Sequence, residues 1–67
     1  MPVINTIELT GVSEDGWSDA ASQALREAGK TIRRITKMDV ISTSAVIDQG
    51  VISEYHTDVR IFFEIER

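Results

Sequence analysis

Four acids and one histidine carry most of the chemistry this 67-residue chain could perform: Asp15, Asp39, Glu54 and Asp58, with His56 between the last two. Carboxylate oxygens are the ligands that calcium and other hard cations take, six to eight at a time, at about 2.3–2.6 Å. Glu54, His56 and Asp58 alternate along one stretch, so a strand would place all three on one face, with Asp39 pointing the same way from a neighbouring strand. Alternate residues on a strand lie about 6.6 Å apart, too far for one ion without symmetry-related copies to close the shell. The plainer reading is a solvated face on which Lys37 and Arg60 neutralise the acids. Asp15, next to Glu14 in a turn, can hold a hydrated cation or cap a helix.

A lone histidine can serve as a general base, but a nucleophile or electrophile within reach is also needed. Ser53 and Thr57 fall on the alternate face from His56, so an enzyme is not expected.

The elements that must position these residues follow from periodicity. Val3 to Thr10 alternates, with Val3, Ile7 and Leu9 on one face and Thr6, Glu8 and Thr10 on the other, and reads as a strand. Residues 11–16, GVSEDG, read as a turn in which Ser13 or Asp15 would cap the helix that begins by Trp17. Its expected buried stripe is Trp17, Ala21, Ala24, Leu25, Ala28, Ile32 and Ile35, with Gly29 as a mild conflict inside it. On that stripe Trp17 reads as a core residue.

After Thr36 the period changes to two. Met38, Val40 and Val46 are expected on one face, and Lys37, Asp39, Ile41, Thr43, Ala45 and Ile47 on the other. Asp48-Gln49-Gly50 supplies a tight turn with Gly50 at positive φ, and a third strand runs from Val51 to Ile65. There Val51, Tyr55, Val59, Ile61, Phe63 and Ile65 share a face opposite Glu54, His56, Asp58, Arg60 and Glu64. The fold class expected is α+β: one domain over residues 1–67, a three-stranded antiparallel sheet (β-α-β-β) wrapped around one helix.

Composition narrows the function. Eleven acidic and seven basic residues give a net charge of -4, which argues against phosphate backbones as partners. The adjacent pair Arg33-Arg34 reads as charge set against a helix C-terminus. No stretch approaches the roughly 18 apolar residues of a membrane span, and MPVINTIELT lacks the pattern of a secretion signal, so no membrane partner and a cytoplasmic location are expected. The absence of cysteine removes disulfides and thiolate chemistry. A core this small supplies only about 3–5 kcal/mol, and the second sheet face mixes charges with Ile41, Ala45, Ile47, Ile52 and Phe62, so assembly into a homo-oligomer is expected.

The stretches IELTGVS, GWSDAASQAL, AGKTIRR, MDV and EYHTDVRIFFEIE, in this order over nearly the whole chain, resemble the dodecins. The resemblance implies a hollow homo-dodecamer in which the sheets wrap the helices, with small ligands held between subunits. Its best-known members sandwich flavin pairs on a tryptophan just after the helix and hydrogen-bond the ring with a glutamine on the last strand. The matching positions here are Lys37 and His56, so neither flavin-binding residue is kept. A family branch without that tryptophan is associated with calcium, and this sequence looks most like that branch. The resemblance therefore implies calcium or another cation held for storage and no flavin, but no ligand set; the candidate ligands Asp15, Asp39, Glu54 and Asp58 come from the residue pattern above. The alternative is a flavin-storing dodecin in which the assembly supplies the stacking surface.

Overall fold

The last strand forms over its full expected length, Val51 to Ile65, in the computed structural model, which describes residues 3–65. The order is β1 (Val3–Ser13), α1 (Trp17–Gly29), β2 (Ile35–Asp48) and β3 (Val51–Ile65). β3 is the central strand, antiparallel to β1 on one side and to β2 on the other. The helix lies over β1 and β3 and barely touches β2. The expected β-α-β-β architecture, with one helix on one face of the sheet, is the one observed.

The core is small. Val59 and Ile61 of β3 are fully buried in one cluster with Ala24 and Ala28 of α1, with Ile7, Leu9, Ala21, Ile32, Ile35 and Met38 packed around them, and Ala20 of α1 is buried as well. Burying each of the two β-branched residues stabilises the fold by about 1.5–3 kcal/mol. Alanines at i, i+4 and i+8 give the helix a flat side that lets it sit close to the sheet.

That closeness explains why β1 runs on through Gly11, Val12 and Ser13, where a turn was expected. Gly11 pairs with Thr57, and a Cβ on it would run into the Ala20 carbonyl and crowd the Ala24 Cβ at 3.2 Å. Glycine is needed here for close backbone approach, not for a turn.

The helix differs from expectation in extent and in stripe. It ends at Gly29, and the chain leaves it through Thr31 and Ile32 amides that both reach the Ala28 carbonyl. Arg34 then takes a left-handed φ of 59° before β2 begins. Ile32 and Ile35 still pack on the core, from the link and from β2. Arg33 and Arg34 therefore lie in this link, beyond the helix end. Trp17 and Leu25, expected in the buried stripe, are exposed, Trp17 by 42%. Neither Ser13 nor Asp15 caps the helix, whose N-cap is Gly16 with no side-chain bond. Ser13, buried, instead accepts from the Asp15 amide at 2.9 Å and donates to Asp19 at 2.6 Å.

β2 carries the largest correction. Val40 pairs with Val59 and Ser42 with Asp58, so Ile41 is an inserted residue. One extra residue exchanges the two faces of a strand from that point on. Met38 and Val40 therefore share the helix side with Thr43 and Ala45, and Val46 moves to the opposite face beside Glu54. The β2–β3 turn is as expected in its key feature, with Gly50 at φ 81° and Gln49 at 52°.

Candidate functional site

The sheet face turned away from the helix presents cross-strand rows fixed by register. Glu8, Arg60 and Asp39 form one row, Thr10, Asp58 and Ser42 the next, and Val12, His56 and Ser44 the third. Paired residues on antiparallel strands stand close enough for their side chains to interact.

In the first row Arg60 Nη2 donates to Glu8 Oε2 at 3.2 Å. In the second, Asp58 takes one hydroxyl on each oxygen: Thr10 Oγ1 to Oδ1 and Ser42 Oγ to Oδ2, both at 2.7 Å. The Ser42 bond, then the Thr10 bond, hold the Asp58 carboxyl below its usual pKa, because both favour the charged form. A shallow depression beside it is lined by Glu8, Leu9, Thr10, Ile41 and Asp58. His56 Nε2 lies 3.0 Å from Glu54 Oε1.

The structure thus brings Glu54 next to His56 and sets Asp39 opposite Arg60, while Asp58 is held by hydroxyls. Asp15 is exposed in the loop before α1, whereas the other three lie on the sheet. Among the described residues no three His, Cys, Asp or Glu side chains gather as a metal-holding group. Within one copy, therefore, the four candidate acids are not united. The roles of Thr10 and Ser42 were missed in the sequence: Thr10 was placed only as a polar strand residue, and Ser42 faces Asp58 only because Ile41 is inserted.

Lys37 pairs with Phe62, and its Nζ lies 4.1 Å from the ring centroid, a cation–π contact. At the other end of the sheet, Trp17 stands edge-on to Tyr55 with ring centroids 4.8 Å apart. Its indole N–H donates to the Ser44 carbonyl at 2.8 Å, and Thr57, buried, donates to the Trp17 carbonyl at 2.8 Å. These bonds fix an indole that remains half-exposed. Among the described residues no helix is long and apolar enough to cross a membrane.

Comparison with known proteins follows the same lines. The family model described as Dodecin matches residues 3–66. A curated dodecin from Thermus thermophilus is 31% identical over 64 residues, covering 96% of this chain and 93% of its own. The crystal structure of a tryptophan-to-phenylalanine mutant of Thermus thermophilus dodecin superposes with a TM-score of 0.95 at 30% identity, with 100% of each chain covered. Dodecin from Streptomyces coelicolor shares the fold, with a TM-score of 0.95 at 23% identity over 98% of this chain and 94% of its own. With its β-α-β-β order and a family match over nearly its whole length, the chain belongs to the dodecin family.

Proposed function

We propose that this chain is a binding and assembly protein without catalytic activity: a homo-dodecamer that holds calcium or another hard cation between its copies, in place of flavin. The observation that carries the assembly is the mismatch between a core of five buried apolar residues and a larger set left uncovered, among them Val40, Ile41, Ile47, Val51 and Ile52. Apolar surface spread this widely on so small a domain fits contacts between copies.

The ligand reading rests on the outer face. Asp58 keeps its charge, and hydroxyl oxygens flank it. One copy offers too few converging oxygens for calcium, so rotation axes would have to repeat Asp58, Glu54, Asp39 or Asp15 around a point. Against flavin, the position that stacks the ring in flavin dodecins is Lys37, whose ammonium is engaged with Phe62, and the ring-bonding glutamine is replaced by His56. Flavin storage is the second reading, and the half-exposed indole of Trp17 favours it as a surface that a flat ring or a second copy can cover.

A cation that binds only the assembled form stabilises it by mass action. Chelator treatment of the purified protein should therefore lower its melting temperature, and calcium should restore it. An unchanged melting temperature would remove the cation from the account, and a purified protein with flavin absorbance would favour the second reading.

A further inference from the structure

The loop between β1 and α1 holds a pair of groups that can react with each other. Asp15-Gly16 is the only place in the chain where an aspartate precedes a glycine. An aspartyl carboxyl and the next backbone nitrogen are tethered neighbours, so their ring closure is an intramolecular step favoured by proximity. Glycine lacks the side chain that otherwise shields that nitrogen.

The local structure leaves both groups uncommitted. Asp15 is exposed. Among the described residues its carboxylate meets no hydrogen-bond donor or cation, and the Gly16 N–H meets no acceptor. The bonds that anchor the loop use other atoms: the Asp15 amide donates to Ser13 Oγ at 2.9 Å, and the Gly16 carbonyl accepts from the Ala20 amide at 3.0 Å. Gly16 is extended at φ 162° and ψ 172°, and a Cβ built on it would meet nothing within 4 Å, so nothing crowds the approach to its nitrogen.

The other four aspartates lack this combination. Asp19 accepts from Ser13, and the amide that follows it, that of Ala20, is spent on the first helical bond. Asp58 is held by Thr10 and Ser42 and precedes the buried, β-branched Val59. Asp39 lies within β2 and precedes Val40, and Asp48 closes the same strand before Gln49. Branching at Cβ shields the amide of each valine.

We infer that Asp15 is a site of spontaneous isomerisation to isoaspartate. The Gly16 nitrogen attacks Asp15 Cγ; a C–N bond forms, and the carboxyl hydroxyl leaves as water with the amide proton. Water then opens the resulting cyclic imide at either carbonyl. Opening at Cγ restores aspartate. Opening at the backbone carbonyl carbon leaves the main chain running through the side-chain methylene, with a free α-carboxylate. That carboxylate is the group that isoaspartyl methyltransferases esterify with S-adenosylmethionine.

Incubating the full-length folded protein at neutral pH in heavy-oxygen water tests this, because each ring opening fixes one heavy oxygen at the residue. Electron-transfer fragmentation in a mass spectrometer distinguishes isoaspartate from aspartate and locates it. Isoaspartate carrying the heavy oxygen is expected to accumulate at position 15, within several-fold of the rate in the chain unfolded by urea. A purified isoaspartyl methyltransferase with labelled S-adenosylmethionine should mark the incubated protein and not the fresh one. Gly16→Val shields the nitrogen at a position with open space around it, and Asp15→Glu keeps the charge while requiring a larger, slower-closing ring. Each is expected to lower the accumulation several-fold or more, with melting temperature confirming the fold. A folded protein unlabelled at position 15 while the unfolded chain reacts would overturn the assignment. So would labelling spread evenly over the five aspartates, or accumulation unchanged in folded Asp15→Glu.

Discussion

Lys37 Nζ stands 4.1 Å from the centroid of the Phe62 ring, its cross-strand partner. On the proposed reading, Lys37 stands at the position where flavin-binding dodecins stack the ring, so the pair would mark the difference in ligand. Restoring an indole and an amide should reverse the difference. Lys37→Trp together with His56→Gln is expected to create or strengthen flavin binding, read as quenching of flavin fluorescence. Absence of quenching would count against the placement of the two positions.

Removing the Lys37 charge alone should matter little to the fold. The contact is on the surface, and such cation–π pairs contribute about 0.5–1 kcal/mol. Lys37→Met is expected to change the denaturation free energy by no more than that, and a loss of several kcal/mol would show that Lys37 is held by more than Phe62.

Asp58 supplies the pH prediction. Hydroxyl donation from Ser42 and Thr10 lowers its folded-state pKa below the ordinary carboxylate value. A depressed folded pKa stabilises the fold above the unfolded pKa, and the contribution is lost as pH falls through the lower, folded value. Ser42→Ala and Thr10→Val should each raise the Asp58 pKa, Ser42→Ala by more, in a carboxyl-carbon NMR titration. If neither moves it, the two hydroxyls are not what holds the carboxylate.

Gly11→Ala should destabilise the chain. The added methyl meets the Ala20 carbonyl and the Ala24 side chain, and backbone cannot yield as a flexible side-chain tip does. Overpacking of this kind costs about 1–3 kcal/mol or more, measurable as a lower denaturation midpoint. A neutral result would mean that α1 can lift away from β1.

Thr57→Val keeps the shape of a fully buried residue but deletes its bond to the Trp17 carbonyl. The expected loss is about 1 kcal/mol, with a shift in Trp17 fluorescence as the start of α1 loosens. An unchanged spectrum would show that the indole is fixed by the Ser44 bond instead.

Much of this arrangement was legible in the sequence where side-chain period and backbone agree. β3 alternates without interruption from Tyr55 to Ile65, and its inner and outer residues are those the alternation gives. The end of α1 was not legible, because Ile32 and Ile35 continue the helical spacing although they reach the core from a link and a strand. The faces of β2 beyond Val40 were hidden for a different reason: the insertion at Ile41 is a backbone event without a distinctive residue type. That insertion also hid half of the Asp58 site, since only the shifted register brings Ser42 opposite it. Trp17 misled because its spacing fits a core stripe, whereas its position at the first helical residue leaves it at the rim, bonded to Ser44.

Native mass spectrometry of the purified protein, with an absorption spectrum of the same sample, tests the central claim most directly. The account predicts a dodecameric mass without flavin absorbance and with excess mass that a chelator removes. A monomeric mass, or a dodecamer carrying bound flavin and no removable cation, would contradict it.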